Sequence, residues 1–198
     1  AGEVVTLSVD WEHIPAKHRQ LIKAFLDEAD MSADAIKTVD FPPAYGADIV
    51  VSCEKAKDPK NGSIYLKPTQ FVLGIGCRRN TAFENIDRAI RQSLLKLQID
   101  ISDIDMIASI DVKKDEPGIK EFCERNRIEF VTYTADELMA VHGEFSASQF
   151  VMEHVGVDNV CERAAVLACS RECNKAGELI YKKHKYDRVT VAAARYPD

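Results

Sequence analysis

Apolar positions along the chain fall into short runs separated by amphipathic stretches. Val4-Val5-Thr6-Leu7-Ser8-Val9 predicts a strand. Pro15 then opens a helix, with Leu21, Ile22, Phe25 and Leu26 at helical spacing. Pro42-Pro43 breaks the chain, and Asp48-Ile49-Val50-Val51-Ser52 predicts a second strand. The polar cluster Lys57-Asp58-Pro59-Lys60-Asn61-Gly62 reads as a linker or hairpin tip.

A second segment is expected to start near Tyr65. Phe71-Val72-Leu73-Gly74-Ile75-Gly76 predicts a fully buried strand that enters a tight turn. A helix follows, with Phe83, Ile86, Ile90, Leu94 and Leu97 on one face, and Thr81-x-x-Glu84 is a capping-box pattern at its start. Met106–Val112 predicts a strand, Pro117 opens a helix through Arg125, and Glu129–Tyr133 predicts the next strand. Thr134-x-x-Glu137 is a second capping box before a short helix. Ser148–His154 and Asn159–Cys173 read as further helices. Val160–Ala168 is apolar nearly all round, which predicts deep burial. Tyr181-Lys182-Lys183-His184-Lys185 reads as a solvated basic turn, and Arg188–Ala194 as the closing strand. Alternating strands and helices predict an α/β fold, a layered α/β/α arrangement on a mixed, largely parallel sheet. A smaller α/β segment over 1–64 is expected to precede the larger domain over 65–198.

Composition narrows the function classes. Of 198 residues, 46% are apolar and 29% charged, a profile that argues against disorder over most of the chain. No apolar run reaches the roughly 18–20 residues of a membrane helix, so no membrane partner is expected. The formal charge of −6 argues against a general nucleic-acid binder but leaves room for a local basic pocket. Neither a secretory leader pattern, a Cys-x-x-Cys pair nor a zinc-type quartet is visible. A reducing, cytoplasmic setting without a protein-held metal is therefore expected.

The sharpest chemical feature is Gly74-Ile75-Gly76-Cys77-Arg78-Arg79-Asn80-Thr81, between a buried strand and a helix start. Glycines let a ligand approach the backbone, and helix amides favour an anion. Arg78 and Arg79 add forks that match carboxylate or phosphate. Between Gly74 and Lys96 stand five Arg or Lys and two acids, so this stretch is basic within an acidic protein. The motif is neither a Walker loop nor a full Gly-x-Gly-x-x-Gly. A plain turn with solvated arginines is the alternative. Cys77, beside Arg78 at a helix start, is expected to carry a lowered thiol pKa. The second feature, Asp111-Val112-Lys113-Lys114-Asp115-Glu116-Pro117-Gly118, follows a predicted strand, where open sheets gather ligands. Asp111, Asp115 or Glu116 could serve as general base and Lys113 as anion ligand; a charged helix-opening loop is the alternative. Among the histidines, His142 before Gly143 is the functional candidate.

Five ordered segments resemble a known family. Gly74–Arg79 with Thr81 is similar to the opening motif of the C-terminal domain of the cobalamin-biosynthesis protein CbiG, shared with the single-domain protein CobE. Ala108–Lys113 with Asp115–Gly118, Tyr133–Leu138, Ser146 with Gly156-Val157, Val160 and Glu162-x-Ala164-Ala165, and Lys182 with Val189–Ala192 resemble later family segments. The resemblance covers about Tyr65 to Arg195, and 1–64 resembles the CbiG central region. It implies a cobalt-precorrin-5A hydrolase, or its corrinoid-binding part, that opens a δ-lactone with release of acetaldehyde. Gly74, Gly76, Cys77, Arg78, Arg79, Thr81 and Lys113 would then bind the carboxylate-rich substrate, and Asp111 or Glu116 would act as base. Cobalt would arrive with the substrate, so the chain would hold no cofactor of its own. The partners implied are the anionic cobalt-corrinoid and other cobalamin-pathway enzymes. The Ser-Gly-His-x-Gly-Gly-Ala-Asn motif of full CbiG chains is missing, which implies a fragment or a shortened homologue. Two other readings stand beside this one, a non-catalytic CobE-like tetrapyrrole module and an α/β domain for another small anion such as a nucleotide.

Overall fold

A computed structural model describes residues 4–28, 36–43, 47–52, 63–66, 68–173 and 175–197. The chain divides into two units, the first ending at Pro68 and the second spanning Thr69–Pro197. The expected linker cluster 57–62 lies outside the described residues.

In the first unit, β1 (Val5–Val9), β2 (Ile36–Val39), β3 (Ile49–Val51) and β4 (Ile64–Leu66) form a parallel sheet in the order β2-β1-β3-β4. Helix α1 (Ala16–Glu28) follows Pro15, whose fixed φ suits a helix start. Leu7, Val9, Ile14 and Val51 make a small core, with Ile22, Leu26, Ile36 and Ile49 packed against it. Trp11, 37% exposed, lies in the turn after β1, and Lys23 Nζ stands 5.9 Å from its ring centroid. The short strands β2 and β4 lacked a sequence signal because they are edge strands, and every residue of β4 is exposed. Tyr65, expected to begin the second segment, belongs to β4 of this sheet.

The second unit is a five-stranded sheet in the order β7-β6-β5-β9-β8. Strands β5 (Phe71–Cys77), β6 (Ile104–Ile110) and β7 (Glu129–Tyr133) run parallel, and β9 (Val189–Arg195) runs antiparallel to both β5 and β8 (Glu178–Lys185). Alternation along β5 divides its two faces. Phe71, Leu73 and Ile75 pack with Ile86, Ile90 and Leu94 of α2 (Phe83–Leu97) and with Ile119 and Phe122 of α3 (Pro117–Asn126). Gly74 faces the other way, onto α6 (Val160–Cys173). This is the expected three-layer α/β/α arrangement. The apolar stretch of α6 is buried as its composition predicts. Small residues line its seat: Gly74, Ala108, Ala192 and Ala194 on the sheet, Ala164, Ala165 and Ala168 on the helix. Short helices α4 (Ala135–Met139) and α5 (Gln149–Val155) complete the unit.

Three local expectations change. The basic 181–185 segment is part of β8 rather than a turn. Register shifts along the β8–β9 pair and lysines at an edge position erase the alternation by which strands are recognised. Thr81 does not cap α2, because the helix starts at Phe83 with Ala82 as N-cap. The Thr81 hydroxyl instead donates to the Arg78 carbonyl at 2.6 Å. Strand β6 stops at Ile110, and Asp111–Lys113 forms a single 3-10 turn. The Thr134/Glu137 capping box is present, with the Glu137 amide 3.3 Å from Thr134 Oγ1 and the Thr134 amide 2.7 Å from Glu137 Oε2.

Candidate functional site: a basic edge at the carboxyl ends of the strands

The carboxyl ends of β5 and β6 and the turn between β8 and β9 share one edge of the second sheet. The loop after β5 is locked to that turn. The Arg78 amide donates to the Arg188 carbonyl at 3.0 Å, and Arg188 Nη2 donates to the Arg79 carbonyl at 3.2 Å. Arg188 adopts a left-handed φ of 60°, which turns the chain back into β9. Arg78, Arg79 and Arg188 are all exposed, so three guanidinium groups stand on one edge. Arg188 was absent from the sequence-based site. Only the pairing of β5 with β9 brings it to Arg79, 109 positions away.

Glu116 braces this edge. It is 5% exposed, and both carboxylate oxygens are engaged. Oε1 accepts the Thr81 amide at 2.9 Å, and Oε2 accepts Lys113 Nζ at 3.0 Å. The start of α3 is therefore tied to the loop before α2. Gly118 completes the joint, since a Cβ there would lie 2.3 Å from the Thr81 carbonyl oxygen. Glu116 thus holds Lys113 and Thr81 in place, and its geometry is that of a brace rather than of the base expected from sequence. Asp111 is exposed at the end of β6.

The two glycines of the motif serve different ends. A Cβ on Gly74 would lie 1.7 Å from the Cys161 carbonyl oxygen and 3.0 Å from the Ala165 nitrogen. Helix α6 occupies the space that sequence assigned to a ligand. Gly76 lies nearer the edge, where a Cβ would meet only the Thr190 hydroxyl at 2.7 Å. The expectation of a lowered Cys77 pKa is overturned. Burial pushes the thiol up to about 11, outweighing the lowering by Lys113, Thr81 and Arg188. At pH 8 about a thousandth of Cys77 is then thiolate. Iodoacetamide is expected to label it far more slowly than a small free thiol, with the rate rising towards pH 11. Fast labelling at pH 8 would contradict this environment.

A buried carboxylate behind the edge carries a further network. Glu162 is fully buried and accepts three bonds: from the Ser146 amide and hydroxyl, both at 2.8 Å, and from the Lys183 amide at 2.6 Å. Lys183 Nζ reaches back to the Ser146 carbonyl at 3.2 Å. Arg163, next to it, binds Asp158 through two nitrogens and the Leu138 and Val141 carbonyls through a third. Together they fix the 140–148 loop, on which His142 is exposed. Among the described residues no three His, Cys, Asp or Glu side chains gather as a metal site, and no helix is long and apolar enough to cross a membrane.

Comparison with known proteins bears on this same unit. Over 137 residues the chain is 32% identical to a protein of Methanocaldococcus jannaschii named a probable cobalt-precorrin-5A hydrolase. The match takes in 67% of this chain but 42% of the relative, so the chain spans less than half of that protein's length. The crystal structure of CobE, a protein from the cobalamin biosynthetic pathway, superposes with a TM-score of 0.60 at 26% identity, over 63% of this chain and 89% of CobE. A cobalamin biosynthesis protein G homolog from Sulfolobus solfataricus shares the fold across 98% of this chain and 51% of its own, with a TM-score of 0.51 at 17% identity. Residues 71–194, the stretch that builds the sheet, its helices and the basic edge, match the family model of the cobalamin synthesis G C-terminus, and the chain belongs to that family.

Proposed function

We propose that this chain acts in cobalamin biosynthesis on a cobalt-corrinoid intermediate, as a cobalt-precorrin-5A hydrolase or as the part of one that holds the substrate. The observation that carries this reading is the basic edge. Arg78, Arg79 and Arg188 concentrate positive charge on that edge in a protein of net charge −6, while Lys113 is paired with Glu116. A corrinoid precursor carries many peripheral carboxylates, and guanidinium forks match them two bonds at a time. Cobalt enters as part of the substrate. The relative from M. jannaschii supports the hydrolase, by name and at 32% identity.

Two measurements test this. Changing Arg78 and Arg79 together to Ala is expected to weaken cobalt-precorrin-5A binding at least about tenfold, since each charge-assisted bond contributes roughly 1.5–3 kcal/mol. Absorbance titration reads the affinity, and an unchanged value would remove the edge from substrate binding. The second measurement is acetaldehyde release from cobalt-precorrin-5A by the chain alone. Release above the protein-free rate supports the hydrolase. Binding without release supports a carrier-type module, the second reading, which is favoured by the likeness to CobE over 63% of this chain and 89% of CobE.

A further inference from the structure

The five-stranded sheet of the second unit ends in two unlike edges. At one edge, β8 carries Lys182, Lys183 and Lys185 and two register shifts against β9. Charges and irregularities of this kind keep an edge strand from pairing with another chain. At the other edge, β7 reads Glu129-Phe130-Val131-Thr132-Tyr133, without lysine, proline or a register shift against β6. Aromatic and β-branched residues favour a strand, and an unguarded edge offers its amide and carbonyl groups to a further one. No strand lies beyond β7 among the described residues. Between α3 and one face of β7 an open groove of about 490 Å³ is floored by Ile128 and Phe130.

The charges around β7 decide what fits there. Arg127 stands just before the strand, and Asp136 stands just after it in the first turn of α4. Both are exposed, as is Glu129, and none of the three has an ion-pair partner among the described residues. Arg171 lies over the Tyr133 ring, 4.9 Å from its centroid. Each end of β7 therefore offers one cation and one acid: Arg127 and Glu129 at its start, Arg171 and Asp136 at its finish. A second β7 laid antiparallel and centred on Val131 sets Glu129 opposite Tyr133 and Phe130 opposite Thr132. Arg127 then comes to Asp136 of the second copy and Glu129 to Arg171, and two-fold symmetry makes each pair twice. Parallel pairing in register would instead set like charges side by side. A small anion fits the groove less well, because its rim mixes signs, with Lys120 and Arg127 beside Asp115 and Glu124.

We propose that β7 is a homodimer interface, pairing antiparallel with β7 of a second copy so that the sheet continues across a two-fold axis at Val131. Phe130 of each copy lies against Thr132 of the other at the floor of the groove. The antiparallel arrangement points the two basic edges in opposite directions. Each copy keeps its own edge, and the interface stands whatever that edge binds.

The test uses the whole 198-residue chain and two charge reversals at exposed positions, Arg127→Glu and Asp136→Arg. Sedimentation equilibrium reads the association. The wild type is expected to be dimeric at about 100 µM, where an interface with a dissociation constant of about 10 µM or tighter is mostly filled. Each single variant is expected to raise the dissociation constant at least about tenfold, because like charges then meet at two symmetry-related places. An equimolar mixture of the two variants is expected to regain the wild-type association, since each reversed charge then meets its opposite. That recovery also excludes misfolding as the cause of the loss. A wild type that stays monomeric at that concentration overturns the proposal. So does a single variant that associates as the wild type does, or a mixture that stays apart.

Discussion

Replacing Gly74 by alanine is expected to cost the second unit more than about 3 kcal/mol, at the upper end of what single substitutions do. The added methyl would sit 1.7 Å from a backbone oxygen of α6, closer than any rotamer change can relieve. The helix must move off the sheet, and it packs there through alanines and cysteines with no flexible side chain to absorb the shift. Gly76→Ala provides the comparison. Its methyl meets only the Thr190 hydroxyl, a side-chain atom that can rotate away. A cost of roughly 1 kcal/mol is expected there, within the usual range for a moderate misfit. Urea unfolding of both variants, followed by far-ultraviolet circular dichroism, checks the order. Equal costs would mean that the Gly74 contact is not what seats the helix.

Glu162→Ala is expected to cost about 3 kcal/mol or more, because it removes the shared acceptor of three hydrogen bonds at once. Truncation leaves the Ser146 amide, the Ser146 hydroxyl and the Lys183 amide without their acceptor. An orphaned buried donor costs roughly 1–3 kcal/mol, and any water admitted to the gap recovers part of that. The loss should be local in kind as well as large. The 140–148 loop is expected to exchange its amide hydrogens faster, while Leu73 and Ile75 in the central strand keep their protection. A variant as stable as the wild type would show that the loop is held without Glu162, by Arg163 and by the bonds of Lys183 and Asn159 to the Ser146 carbonyl.

The layering of the second unit was legible because its signals are local. Runs such as Phe71–Ile75, and the helical spacing of Ile86, Ile90 and Leu94, mark buried faces whatever surrounds them. What stayed hidden depends on partners far away in sequence. Glycine at 74 reads as an invitation to a ligand, but the neighbour that demands it is Cys161. Glu116 reads as a candidate base until Thr81 and Lys113 are seen to occupy both oxygens. Cys77 beside Arg78 suggests an acidic thiol, and burial reverses the sign. Arg188 enters the edge only through strand pairing.

Trp11 is the single tryptophan of the chain and lies in the first unit. Indole fluorescence therefore reports on that unit alone, while circular dichroism sums both. The Gly74→Ala chain turns this into a gauge of cooperativity. A melt in which the dichroic midpoint falls and the emission midpoint stays means that the two units unfold separately. Midpoints that fall together mean that the free energy of one is shared by the other.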